Sequence, residues 1–384
     1  MPESKFGFQL QHTDGSARAG ELVTPHGKAL TPFFMPVATQ ATVKGLTPEE
    51  VRGVGAQMVL SNAYHLYLRP GVEIVSKLGG LHKFMGWDGP ILTDSGGYQV
   101  FSLADACKVD EDGVTFQSIV DGSSVRFTPE RAVEIQADLG ADVQMAFDHC
   151  PADPLDRTMV EAATDRTHRW LDRCVQRHEE LGGLERGQAL FGIVQGGAFE
   201  DLRRASVDAV CSHDLVGYAI GGVSVGEDPE AMRVAVEASA PLLPASKPRY
   251  LMGVGTPEDF FNSVERGIDL FDCVTPTRNA RNHTAFTSQG RVNLRNEGFR
   301  EDPRPLDPAC DCVACTQFSR GVLRHLCKIN EMLAGTLLSL HNLRLFHTLL
   351  ASMRDAITHG RLSQLREEVL PAMNRRVGPA ELDR

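Results

Sequence analysis

Eight short apolar runs, rich in branched and aromatic side chains, recur along the first 276 residues. They are PFFMPVA (32–38), AQMVLSN (56–62), PILTD (90–94), DVQMAFD (142–148), LFGIVQG (190–196), GYAIGG (217–222), RYLMGV (249–254) and LFDCVTP (270–276). Runs of this make-up read as buried strands. The spacers between them carry helical patterns, at 47–54, 128–139, 158–181, 200–211 and 257–267. Spacers open on Thr-Pro-Glu at Thr128 to Glu130 and at Thr256 to Glu258, among others. That triplet supplies an N-cap hydroxyl, a proline whose missing N–H costs nothing in a first turn, and an acid at the positive end of the helix dipole. Eight strands, most followed by a helix, predict an α/β chain folded as a (β/α)8 TIM barrel. A doubly wound sheet is the alternative, but no Gly-x-Gly-x-x-Gly and no Walker loop is present.

In a barrel, Asp94, Asp148, Gln195, Gly222 and Asp272 each end a different strand at the mouth where active sites are built. A single acid there is usually a turn or cap residue. Three carboxylates, an amide and a glycine from five strands point instead to one site. The last of them opens FDCVTPTRNARN (271–282), where Asp272 is followed closely by Arg278 and Arg281. Two arrangements fit that order: a plain salt bridge, or a reactive acid beside a landing site for phosphates.

Farther on, Cys310-Asp-Cys312-Val-Ala-Cys315 gathers three thiols within six residues. Thiolates at this spacing can wrap a tetrahedral Zn2+, which needs four ligands. His325, Cys327, His341 and His347 are candidates for the fourth, and His341 stands in a long leucine-rich helical pattern. A shell closed by three thiols and an imidazole would be structural, leaving no open position for water.

Composition narrows the class. The 384 residues are 42% hydrophobic, enough for a full core and an added module, and no run is long enough to span a membrane. The polar first twenty residues lack a signal-peptide core, and nine cysteines is an odd count. Together these predict reduced thiols and a cytoplasmic location. The net charge of −11 excludes indiscriminate nucleic-acid binding. Residues 278–328, however, hold eight arginines and one lysine against five acids, a local patch able to hold a polyanion.

The motifs in combination resemble those of the bacterial-type tRNA-guanine transglycosylases. The matching stretches are Asp94-Ser-Gly-Gly-Tyr-Gln99, Phe147-Asp-His-Cys150, Gly192-Ile-Val-Gln-Gly-Gly197, Ala219-Ile-Gly-Gly222, Gly253-Val-Gly-Thr-Pro-Glu-Asp259 and Phe271-Asp-Cys-Val-Thr-Pro-Thr-Arg278, with the cysteine cluster and a distant histidine. The resemblance is collinear from about residue 5 to about residue 370. Members of that family have a zinc-bearing barrel. They replace the wobble guanine of tRNAs with G-U-N anticodons (Asp, Asn, His, Tyr) by 7-aminomethyl-7-deazaguanine, a precursor of queuosine.

The resemblance implies roles residue by residue. Asp272 would be the nucleophile that holds the ribose as a covalent ester, and Asp94 the general acid and base. Asp148 would accept from the N–H edge of a guanine-like base, with Gln195 and the Gly222 N–H donating to its carbonyl. Tyr98 and Met252 would cover the two faces of the base, with Ser95, Gly96, Gly97 and Val223 completing the pocket. RNA would meet Gly253, Val254, Gly255, Thr256, Pro257, Glu258 and Asp259, and then Thr277, Arg278, Asn279, Ala280 and Arg281. Zinc would sit on Cys310, Cys312, Cys315 and His341. The implied organisation is a barrel over 1–299, a zinc-binding subdomain over 300–350 and a helical segment over 351–384, assembled as a homodimer without membrane attachment.

His149, Thr275, His283, Val223 and Ser224 depart from the commonest family pattern, at the base pocket and the loop after Asp272. Where queuine-using relatives tend to have a glycine and a small β-branched residue, this chain has Val225 and Cys150. Val225 would close the pocket beyond an aminomethyl group, and Glu227 would steady a backbone carbonyl turned toward its ammonium. Retention of both Asp94 and Asp272 argues against a catalytically dead RNA-binding relative. A closed metal shell argues against a zinc hydrolase, and the chain length against the archaeal type with its extra domains.

Overall fold

A computed structural model of the chain describes residues 6–103, 107–223 and 229–382. Its centre is an eight-stranded parallel sheet of Phe33–Pro36, Val59–Asn62, Ile91–Asp94, Val143–Met145, Ala189–Val194, Gly217–Ile220, Arg249–Leu251 and Leu270–Cys273. Each strand lies inside one predicted run, save that the fifth starts one residue ahead of its run, at Ala189, and several runs extend two or three residues past their strands. From the second strand to the eighth each pairs with its neighbour in sequence, and the eighth pairs with the first, Asp272 opposite Met35. One further parallel bridge, Val37 to Leu60, joins the first strand to the second, with Ala38 N–H donating to the Leu60 carbonyl at 2.6 Å. The sheet therefore closes as a barrel. A doubly wound sheet would reverse its strand order at a switch point, and none occurs here.

Alternate side chains of the strands fill the barrel. Phe33, Met35, Leu60, Leu92, Met145, Phe191 and Tyr250 are buried together in one interior cluster. That cluster also takes in Leu22 and Ala29 from an antiparallel sheet of Gly7–Asp14, Ala17–Thr24 and Gly27–Thr31, and Phe6 just ahead of it. The N-terminal sheet thus plugs the floor of the barrel, where Asp142 binds the Ile91 N–H at 2.9 Å and Asp269 binds Arg18. With the floor sealed, ligands have access at the C-terminal ends of the strands.

The helices lie where the caps predict. Pro48–Gly53 and Pro257–Val264 both start in capping boxes, on Thr47 with Glu50 and on Thr256 with Asp259. After the last strand come the helix Thr275–Arg281, a hairpin of Thr284–Thr287 and Gly290–Asn293, and the cysteine-bearing segment. The helix Met332–Thr358 then unites two cores. Its Ala334, Leu337 and Leu338 pack with Cys312, Cys315 and Leu306, while Leu343, Phe346 and Met353 join the shell between barrel and helices. Asn342 fixes it midway, accepting from Phe286 N–H at 2.9 Å and donating to the carbonyls of Pro276 and Thr284. No helix among the described residues is long and apolar enough to cross a membrane.

Candidate active site

A cavity of about 420 Å³ opens at the C-terminal mouth of the barrel, lined among others by Asp94, Tyr98, Asp148, Gly222, Met252 and Asp272. That volume suits a small ligand such as a nucleobase with its sugar. Side chains at the ends of the third and eighth strands and just past the fourth bring the three carboxylates together. Asp94 and Asp148 are buried, at 8% and 3% exposure, and Asp272 is half-buried at the cavity wall.

Each carboxylate has its own partners. Asp94 accepts from Asn62 Nδ2 at 2.7 Å, and that amide also donates to Gln99 Oε1. Asp148 Oδ2 accepts from Gln195 Nε2 at 2.6 Å and from the Cys150 thiol at 3.6 Å. Asp272 Oδ1 accepts from the Tyr250 hydroxyl and from Gly253 N–H, both at 2.6 Å. The partners of Asp272 are therefore a phenol and a backbone amide, and the salt-bridge arrangement with Arg278 or Arg281 is not the one adopted. Both arginines are exposed, and Arg278 reaches the cavity lining.

Crowding three acids into a desolvated mouth changes their titration. Burial pushes Asp94 up to about 7, and the neighbouring Asp148 and Asp272 charges push the same way. Burial raises Asp148 to about 6, against the bonds from Gln195 and Cys150. Burial also raises Asp272, while the Tyr250 and Gly253 bonds favour its ionised form. A carboxyl near neutrality beside an ionised one is the pairing that glycosyl transfer with retention uses.

Two glycines are required by this packing. A Cβ on Gly97 would fall 1.6 Å from Asp148 Oδ1, so only glycine lets the helix Gly97–Ser102 begin against that acid. Gly222 has φ +63°, and its Cβ would lie 2.1 Å from Gln195 Oε1. Ser95 is fully buried behind Asp94, Gly96 follows it with φ +99°, and Tyr98 stands half-exposed at the rim. Val223 lines the same cavity, whereas Ser224, Val225 and Glu227 lie outside the described residues.

The four metal-ligand candidates also come together. Cys310, Cys312, Cys315 and His341 place their ligand atoms within 4.8 Å of one another. His341 Nδ1 lies 3.2 Å from Cys315 Sγ and 3.7 Å from Cys312 Sγ, and Nε2 lies 2.6 Å from the Phe286 carbonyl. A carbonyl can only accept, so Nε2 carries the proton and Nδ1 turns its lone pair to the sulfurs. Such an outer bond is the usual support of a metal-binding imidazole. Three soft donors and one imidazole fit a tetrahedral ion. Of the other candidates, His325 is exposed, and Cys327 and His347 are buried in packing outside this cluster.

A family model described as queuine tRNA-ribosyltransferase matches residues 13–375 of this chain. Among curated proteins, the queuine tRNA-ribosyltransferase of Herpetosiphon aurantiacus is 52% identical over 367 residues, covering 96% of this chain and 92% of its own. That of Pelotomaculum thermopropionicum is 53% identical, with 94% and 97% covered, and that of a Nostoc species 56% identical, with 93% and 94% covered. The chain belongs to the queuine tRNA-ribosyltransferase family. It is accordingly a transferase.

Within this ribosyltransferase fold, the expected RNA-facing positions divide by exposure. Val254, Pro257, Thr277 and Ala280 are buried, Thr256 and Asp259 serve their capping box, and Glu258, Arg278 and Arg281 are exposed. Gly253 and Met252 line the cavity, while Gly255 is buried where a Cβ would fall 2.8 Å from Cys273 Cβ, and Asn279 is half-buried. Two residues that hold the carboxylates were missed by strand-end reasoning. Asn62 ends the second strand and so met the same criterion as Asp94. Tyr250 sits inside its strand, between Arg249 and Leu251, rather than at the strand's end.

Proposed function

We propose that this enzyme exchanges the wobble guanine of tRNAs with G-U-N anticodons for 7-aminomethyl-7-deazaguanine. The observation that carries this reading is the convergence of Asp94, Asp148 and Asp272 on one cavity, with Asp94 raised to about 7. In the first half, an oxygen of Asp272 attacks C1′ of the flipped guanosine. Its C1′–N9 bond breaks, a C1′–O ester forms, and guanine leaves with a proton from Asp94. In the second half, the incoming base gives its N9 proton to Asp94 and attacks C1′, and the ester bond breaks to free Asp272. No water enters either half, and the sugar keeps its configuration after two inversions.

The hydrogen-bond pattern supports these roles. Both bonds to Asp272 land on Oδ1, so Oδ2 retains its lone pairs for attack. Asp148 meets the N–H edge of the base, while Gln195 and Gly222 N–H meet its carbonyl. Tyr98 at the rim and Met252 in the lining cover its faces. Exposed Arg278 and Arg281 take phosphates flanking the target; where neighbouring side chains are buried, RNA contact runs through backbone. Zinc on Cys310, Cys312, Cys315 and His341 contributes a cross-link between the cysteine segment and the long helix, and no chemistry at the mouth. The apolar residues Val322, Ile329, Met332 and Leu333, which lie in sequence between Cys315 and His341, are exposed and support a homodimer formed through this segment.

The direct test is incubation with labelled guanine and unmodified tRNA bearing a G-U-N anticodon. Label should enter the RNA, and 7-aminomethyl-7-deazaguanine should compete with it better than queuine does. RNA that stays unlabelled would remove the reading.

A further inference from the structure

The helix Glu200–Cys211 lies behind the base-reading edge, and two of its buried side chains reach through to that edge. Arg203 has no exposed surface. Its Nε donates to the Gly197 carbonyl at 2.7 Å, and Nη1 donates to the carbonyls of Val194 and Gly221 at 3.1 and 2.8 Å. Nη2 donates to the Gly222 carbonyl at 3.3 Å. One guanidinium thus brackets Gln195 between Val194 and Gly197, and ties that turn to the next one at Gly221 and Gly222. One turn of helix farther on, the Ser206 hydroxyl accepts from Gln195 N–H at 3.0 Å and pairs with His168 Nε2 at 2.9 Å.

We propose that Arg203 and Ser206 are positioning residues for base recognition, fixing the distance between the Gln195 amide and the Gly222 N–H. This inference rests on the base-exchange reading above. The spacing between those two groups has little slack, since a Cβ on Gly222 would already meet Gln195 Oε1 at 2.1 Å. Four carbonyls from two strand ends cannot be gathered by a point charge. An ammonium has three donors and no plane, whereas a guanidinium holds five in a fixed fork. Burying that cation among carbonyls gives the two turns one rigid frame, and displacement of a polar contact by an ångström is enough to weaken base binding selectively.

The test measures steady-state exchange in the zinc-loaded, full-length enzyme, with guanine and tRNA varied separately. Arg203→Lys keeps the charge and loses the fork. Its KM for guanine should rise roughly tenfold or more, with the KM for tRNA changed less than about twofold and the melting temperature close to the parent's. Ser206→Ala, a smaller deletion, should raise the guanine KM about threefold by the same route, and it decides the matter alone if Arg203→Lys is not recovered folded. An unchanged guanine KM in the folded variants, or parallel losses for guanine and tRNA, would overturn the proposal. Exchange by the parent enzyme is the control: its absence would remove the base-exchange reading, whereas normal guanine KM values in exchanging variants remove only this one.

Discussion

Asp94 holds its proton in the folded chain at a pH where the unfolded chain has lost it. Its folded value is about 7 against an ordinary 3.8, so folding becomes less favourable as pH rises between those values, and the full cost applies above about 7. Replacing it with a neutral isostere removes that cost. Asp94→Asn should therefore be stabilising at pH 8, by something on the order of 2 kcal/mol, with a smaller gain at pH 5. Thermal melts of both proteins at the two pH values check this, and an equal gain at each would contradict the desolvated placement of Asp94. The three acids were legible in the sequence because, although each alone could be a turn or cap residue, together with Gln195 and Gly222 they end five runs that a barrel brings to one mouth. Asn62 was harder to read, since its side-chain oxygen also caps the next helix through His65 N–H. Tyr250 carried no signal, because a tyrosine that faces a barrel interior looks like any other apolar strand residue.

Among the elements, the eight strands and the capped helices could be read because burial on both faces imposes continuous apolar runs. The small antiparallel sheets could not. The strand Gly7–Asp14 is almost wholly exposed, so it carries no apolar run to find. The strands Cys107–Val109, Val114–Gln117 and Ser124–Phe127 are too short to show a period. The metal centre belongs to this scale as well, since His341 and Asn342 are adjacent on one helix. One supports the Phe286 carbonyl and the other holds Pro276, three residues past Cys273. Loss of the ion should therefore loosen the segment that bears Arg278 more than the cavity itself. We expect Cys312→Ser to lose zinc, to weaken tRNA binding about tenfold or more, and to leave guanine binding within about twofold. Elemental analysis with two binding titrations tests this; full zinc occupancy in Cys312→Ser would rule out the ligand set.

At the scale of the molecule, a net charge of −11 disfavours RNA over most of the surface, and the proposed function puts it at the segregated basic stretch after the last barrel strand. Binding should fall as salt rises, and Arg278→Ala and Arg281→Ala should each lower the slope of log affinity against log salt by roughly one. Slopes unchanged in both variants would place the RNA elsewhere. The barrel topology itself was legible, because eight apolar runs, most followed by a helical pattern and none by a nucleotide-binding glycine loop, favour a closed barrel over a doubly wound sheet. How the floor is plugged was not, since it depends on Phe6, Leu22 and Ala29 meeting strands far away in sequence.

In the proposed mechanism everything turns on a bond between Asp272 and the ribose. A denaturing gel of enzyme mixed with G-U-N tRNA, run with and without added base, detects that bond. The parent enzyme should give a protein–RNA band that added 7-aminomethyl-7-deazaguanine discharges, and a folded Asp272→Asn should give none. A band that persists in Asp272→Asn and vanishes in Asp94→Asn would contradict it, making Asp94 the nucleophile.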